Sequence, residues 1–141
     1  MLGEMATGNL VEIVRRNYEA LAAGDPQPML ESFAPEYRYT CHTRNRYHGT
    51  RDLPGLLKMW GEGMEVQRDF MLEVVDVWPV PGDMVVSHTR FSFEVDGRRV
   101  ADADVVGVTV FDDGKIVDFV EVNGAALNRF WRAGGDARDV V

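Results

Sequence analysis

Near the end of the chain, Glu121 sits between Phe119 and Asn123, with Asp118, Val120 and Val122 alternating against it. Successive side chains of a β-strand point to opposite faces, so Phe119, Glu121 and Asn123 share one side. A carboxylate kept from water by aromatic neighbours holds its proton more tightly, which suits it to general acid or base work. The same residue is purely structural if a helix N-terminus holds it, or solvent-facing in the other register. Tyr39 alternates with Tyr37 and Cys41. Its hydroxyl could donate to a substrate oxygen, or the ring could simply pack with the hydroxyl at a pocket mouth. Asn17, beside Tyr18 on the first helix, could orient a water or a carbonyl, or face solvent. Asn123 could bind a ligand or cap a following helix.

Cys41 is the single cysteine, with no His or Asp spaced to activate it. A buried free thiol mostly acts as a small hydrophobe. Of His42, His48 and His88, His48 stands just before Gly49 and is the best placed for proton transfer. The three show no His-x-x-x-His spacing, so no metal is expected. No Gly-x-Gly-x-x-Gly or Walker motif occurs, so no nucleotide cofactor is expected either.

These residues belong to a chain of 141 with 15 Lys and Arg against 23 Asp and Glu, a net charge of −8. That length predicts a single domain, residues 1–141, ordered over about 9–132 with 1–8 and 133–141 loose. An acidic chain repels phosphate backbones, which argues against nucleic acid. One cysteine excludes a disulfide framework. No apolar run approaches the ~20 residues of a membrane span, and Met1–Met5 shows no secretory pattern. A cytoplasmic protein is expected.

Helical spacing of Leu10, Val14, Tyr18 and Leu21 predicts a first helix from an Asn9 cap to about Ala23, stopped by Gly24-Asp25-Pro26. A short second helix spans about Pro26–Phe33. Glu36–Thr43 reads as a strand, Asn45–Gly49 as a loop, and a third helix capped by Thr50 or Asp52 runs to about Glu65. Strands follow at Asp69–Trp78, Met84–Val95, Val100–Phe111 and Lys115–Asn123. They are joined by turns at Pro79–Asp83, Asp96-Gly97 and Asp112–Gly114. A last helix covers about Ala125–Arg132. The order predicts an α+β fold, with helices packed on one face of a curved, mostly antiparallel sheet.

Between Val85 and Val95 the odd positions are the more apolar and should face the helices, placing His88 and Arg90 outside. From Val105 to Phe111 both faces are apolar, so the outer valines need cover. A second copy of the chain would give it through a homodimer, and the C-terminal helix or a loop is the alternative. Asp102 and Asp104, alternating with Ala101 and Ala103, are expected as outer solvated charge.

The run Tyr18–Asp25, then Phe33-Ala34-Pro35-Glu36, Gly49 before the third helix, and Phe111–Ile116 together resemble the nuclear-transport-factor-2-like superfamily, in its SnoaL-like branch. The resemblance covers about residues 9–123 and implies a cone of helices wrapped by a curved sheet around one deep pocket. Steroid Δ5-3-ketoisomerases and limonene epoxide hydrolases share that fold. The isomerase base position resembles Cys41, its oxyanion tyrosine Asn17, and its protonated aspartate falls near Gly107. All three are changed, which argues against that activity. The hydrolase Tyr-x-Asn resembles Tyr39 and Cys41, and its last-strand aspartate falls on Glu121. Its Arg-x-Asp pair loses the aspartate in either register.

The resemblance turns the Phe119–Glu121–Asn123 face into the pocket, leaving Glu121 as the one acid among 23 placed for buried chemistry. Trp60, Met64, Phe91, Phe93 and Phe119 would form an apolar wall, either core alone or a surface for a hydrophobic small molecule. Tyr18, Asn17, Cys41, His48 and Asn123 complete the expected binding set. The expectation is a cofactor-independent enzyme working by acid–base catalysis through Glu121 and Tyr39. Isomerisation, cyclisation, dehydration and epoxide opening all fit. The alternative is a non-catalytic ligand-binding or dimerisation module of the same fold.

Overall fold

The computed structural model describes residues 2–43, 47–127 and 129, with side chains from residue 9 onward. Three helices, α1 (Leu2–Ala22), α2 (Gln27–Ser32) and α3 (Leu53–Val66), cover one face of a six-stranded sheet. The strands are β1 (Phe33–Cys41), β2 (Gly49–Asp52), β3 (Arg68–Val80), β4 (Met84–Val95), β5 (Arg98–Asp112) and β6 (Lys115–Asn123). They lie in the order β2-β1-β6-β5-β4-β3, and only β1 and β6 run parallel. The fold is therefore α+β, a cystatin-like cone.

The apolar stripe of α1 is seated as its spacing predicts, with Leu10, Val14 and Tyr18 buried. The helix begins at Leu2, however, so Asn9 is an exposed interior residue and not the cap. Glu4, Met5 and Ala6 are adequate helix formers, and the two nearby glycines only weaken the segment. At the other end, Gly24 adopts φ +88°. Asp25 N donates to Ala20 O (2.8 Å) and Gly24 N to Leu21 O (3.0 Å), the paired bonds of a Schellman stop.

β1 starts at Phe33, directly after α2, three residues before the expected Glu36, and it ends at Cys41, short of Thr43. Pro35 conceals that start in the sequence. It is tolerated because the β1–β6 register shifts between Phe33 and Arg38, so no regular ladder needs its missing N–H. The stretch after Gly49 is not a plain helix lead-in: β2 pairs with β1, setting Arg51 opposite Tyr39 and Gly49 opposite Cys41. Four residues are too few for an alternation signal. Asp52 is the α3 cap, accepting from Gly55 N at 2.9 Å. Residues 44–46 of the expected loop lie outside the described residues. So does most of the expected C-terminal helix, of which 125–127 and 129 are helical.

The remaining strands match the sequence pattern to within two residues. Asp96 (φ 51°) and Gly97 (φ 77°) form the two-residue turn between β4 and β5, both left-handed as a type I′ turn requires. Val85, Ser87, Thr89, Phe93 and Val95 face inward, all at 6% exposure or less. The even positions, among them His88 and Arg90, face out. There Asp104 Oδ1 meets His88 Nε2 at 2.7 Å and Arg90 Nε at 3.1 Å. Asp104 is thus paired across the outer surface where simple solvation was expected. Beside this cluster the valine field is open: the cross-strand partners Val106 and Val122 are 43% and 52% exposed.

Candidate functional site

Between the helices and the inner sheet face lies a cavity of about 650 Å³. α1 contributes Asn17 and Tyr18, α3 contributes Trp60 and Met64, and the strands contribute Tyr39, Phe91, Phe93, Phe119, Glu121 and Asn123. Ten of the twelve residues singled out in the sequence therefore line one space. The other two do not: Cys41 lies buried behind the wall, and His48 is exposed outside it. Cys41 is the last residue of β1, 1% exposed, with its thiol turned toward Asn123 Oδ1 and Thr43 O. His48 precedes an edge strand, and its side chain turns to solvent.

Glu121 is the acid on the wall. Its carbonyl accepts from His42 N at 3.0 Å, tying the end of β6 to the end of β1. The same junction is pinned by Thr43, whose Oγ1 accepts from Asn123 N at 2.7 Å. With the backbone held in this way, Asn123 Nδ2 donates to Glu121 Oε2 at 2.5 Å, and the Tyr39 hydroxyl donates to the same carboxylate. Cys41 Sγ stands 3.5 Å from Asn123 Oδ1, which it reaches as a weak donor. The result is a chain Cys41–Asn123–Glu121–Tyr39 across two parallel strands.

Burial pushes the Glu121 carboxyl above the ordinary glutamate range, against the opposing pull of hydrogen bonds from Tyr39 and Asn123 and of the Arg51 charge. Burial and the neighbouring Glu121 charge push the Tyr39 phenol strongly upward, so it stays a donor at any working pH. Tyr18, whose hydroxyl lies 3.2 Å from Ser87 Oγ, is pushed up to about 12, mainly by burial. Burial, followed by the Glu121 charge, raises the Cys41 thiol to about 11, which leaves little thiolate for nucleophilic work.

Asn17 is 2% exposed and serves the architecture. With its amide oriented to satisfy both ends, its nitrogen donates to Ile13 O (3.2 Å) and Pro28 O (3.3 Å), and its oxygen faces Ser32 Oγ at 3.0 Å. The pair Asn17–Ser32 locks α2 onto α1. Trp60, Phe33 and Tyr37 form a connected aromatic wall, with Phe33 stacked on Tyr37 at 4.2 Å. Tyr39 and Phe119 lie nearly parallel, centroids 6.2 Å apart. Met64, 77% exposed, stands at the rim.

Sequence patterning does not single out Tyr47, which lines the cavity, or Arg51, whose Nη1 donates to Tyr47 O at 2.7 Å. Both lie in or beside the short edge strand whose alternation is too brief to read. Among the described residues, no group of three or more His, Cys, Asp or Glu side chains is placed to hold a metal ion. No helix is long and apolar enough to cross a membrane.

The fold that holds this cavity is shared with known proteins. Residues 14–119 match the SnoaL-like domain, and the chain belongs to that family, within the nuclear-transport-factor-2-like superfamily. No curated protein matches it by sequence. Among solved structures it is similar to Bal32a from a soil-derived mobile gene cassette, at 24% identity over 90% of this chain and 99% of that one, TM-score 0.76. It also resembles an NTF2-like protein of Burkholderia pseudomallei, at 21% identity over 87% and 96% of the two chains, TM-score 0.73. A third likeness is TerC, co-crystallised with polyporic acid, at 16% identity over 86% and 96%, TM-score 0.71. At these identities the likenesses establish the fold.

Proposed function

We propose that this SnoaL-like protein is a cofactor-independent enzyme that moves protons on a compact, apolar small molecule bearing carbonyl or hydroxyl groups. The observation that carries this reading is Glu121, held by Tyr39 and Asn123 on the wall of a 650 Å³ apolar cavity. As a carboxylate, Glu121 has a lone pair left to take a proton from a carbon or hydroxyl of the substrate. As the resulting acid, it can return that proton to a different atom. Tyr39 and Asn123 hold the carboxylate in one orientation, and either can turn a hydrogen bond to a substrate oxygen as charge develops there. Trp60, Phe91, Phe93 and Phe119 supply the apolar contact that binds the body of the substrate and keeps water from the proton in transit. Isomerisation, cyclisation, dehydration and epoxide opening all need these steps. The test is turnover of a panel of such compounds by wild type and Glu121→Gln. A drop of about a hundredfold supports the reading, and unchanged turnover refutes it.

A second reading, a passive ligand-binding module, is favoured by one observation: the polar atoms of Asn17 are engaged within the fold, so fewer groups converge on a substrate than in a dedicated active site. The co-crystallised relative TerC supports small-molecule binding in this fold without specifying chemistry. An apolar fluorescent dye in the cavity separates the two. An acid–base site gives a pH-dependent signal between about pH 5 and 8 that is lost in Glu121→Gln, and a passive binder gives none. In either case the open Val106–Val122 field on the outer sheet face supports a homodimer assembled back to back.

A further inference from the structure

The cavity differs at its two ends. Among the described residues that line it, Glu121 alone carries a charge, with Tyr39 and Asn123 beside it. Glu121 pairs across the sheet with Gly107, and Gly107 with Ser87, so these residues stand in one row over β6, β5 and β4. Phe91 lies four residues further along β4 and also lines the cavity. Two strand spacings across and four residues along set it roughly 15 Å from Glu121. The cavity is therefore long, with its charge at one end.

The other end is apolar and open. Phe91 meets Phe70 of β3 with ring centroids 5.6 Å apart. Phe70 shares the inner face with Leu72, the cross-strand partner of Phe91. Beyond it β3 bulges between Arg68 and Met71, where Asp69 takes φ 52°. The bulge ends the regular pairing, so Phe70 lines the cavity and is still exposed. From α3, Leu57, Gly61 and Met64 are spaced i, i+4, i+7 and share one helix face. An apolar stripe of that kind is normally buried, as the neighbouring Leu56 is. Here Leu57 and Met64 line the cavity and stand exposed, and a Cβ on Gly61 between them would meet nothing within 4 Å. An exposed apolar surface of this kind marks a binding surface. Its continuity with the cavity names the occupant: a ligand that fills the cavity runs out along these side chains.

We infer that Leu57, Met64 and Phe70 form a subsite for an uncharged, apolar extension of the ligand, which leaves the cavity past Phe91 while the oxygenated head stays at Glu121. The inference rests on reading the cavity as a small-molecule site, and the compact molecule of that reading becomes the head of a longer one. The bound class is amphipathic, with its oxygen functions at one end and enough hydrocarbon to span roughly 15 Å. No described lining residue at the open end carries a charge to pair with an ionised tail.

The test is a chain-length series. Para-alkylphenols with methyl, butyl and octyl chains are titrated into the protein by isothermal calorimetry. Affinity should rise about two- to fourfold per methylene through the octyl compound. Met64→Asp and Phe70→Ser alter exposed side chains, and far-UV circular dichroism checks that both fold. Each should weaken the octyl compound at least about fivefold more than the methyl compound. Affinity that levels off after the butyl chain, equal losses at every length, or no binding by any homologue overturns the inference. So does a second copy of the chain seated on this rim, which would shift the sedimentation of Met64→Asp and leave the series unchanged. Binding is read without turnover. A Glu121→Gln variant that turns over substrates like wild type would therefore refute the acid–base reading and leave the subsite standing.

Discussion

The ring of Phe119 lies over the bare α-carbon of Gly107, on the strand next to its own. A Cβ at position 107 would fall inside the van der Waals surface of that ring and only 3.3 Å from Ser87 Oγ. Gly107 is also the cross-strand partner of both Glu121 and Ser87. The glycine therefore lets Phe119 lie flat along the sheet, making the floor of the cavity next to the acid. Gly107→Ala should drive the ring up into the cavity and destabilise the protein by about 1–3 kcal/mol. Chemical denaturation checks the stability, and weakened binding of an apolar dye checks the lost volume. A variant with wild-type stability and dye binding would show that the ring has another resting place.

Glu121 makes a prediction about stability as well as turnover. Its carboxyl is raised above the ordinary value of 4.5 by burial, so the folded state binds that proton more tightly than the unfolded chain. The associated stability is fully present below the ordinary value and is lost as pH rises through the raised folded value. Glu121→Gln removes the titration. The variant's melting temperature should gain on wild type as pH climbs from 4 to 8, and parallel curves would count against a raised carboxyl.

Tyr39→Phe removes a hydrogen bond to the carboxylate while sparing the ring. The Glu121 carboxyl should move further up, because a donor that favoured its charged form is gone. The loss should cost about 1.5–3 kcal/mol at neutral pH and lower turnover about tenfold. Denaturation and pH–rate profiles measure the two effects, and a neutral phenotype in both would remove Tyr39 from the site.

The Cys41 thiol, buried and raised to about 11, should be inert in the native protein. At pH 8 iodoacetamide should label it at least about a hundredfold more slowly than in urea. Equal rates would mean that the junction of β1 and β6 opens readily. His48, exposed outside the cavity, should be replaceable by Ala without loss of turnover.

Sedimentation tests the outer face. Val106→Asp places a charge in the exposed valine field, next to Val122, and should shift a wild-type dimer toward monomer at micromolar concentration. A wild-type monomer would dispose of the homodimer.

The strand alternation around Glu121, the inward odd positions of β4, the Asp96-Gly97 turn and a cap at Thr50 or Asp52 before α3 are all legible in the sequence. Each follows from interactions between near neighbours: the pleat, the left-handed turn, the first orphan amide of a helix. Local chemistry also underlies the family likeness, since its motifs are turns and helix ends in fixed order. What lay beyond sequence was decided by contacts between distant segments. Pro35 hides the start of β1 until the irregular β1–β6 register explains it. Arg51 is an ordinary arginine until β2 sets it opposite Tyr39. Asn17 reads as a ligand contact until Ile13, Pro28 and Ser32 take its amide. Element order and alternation predict an α+β fold with Phe119, Glu121 and Asn123 on one strand face, and the family resemblance implies the cone and turns that face inward. Which groups hold that acid was decided only when β1 met β6, because a hydrogen bond exists only between groups that the fold has brought together.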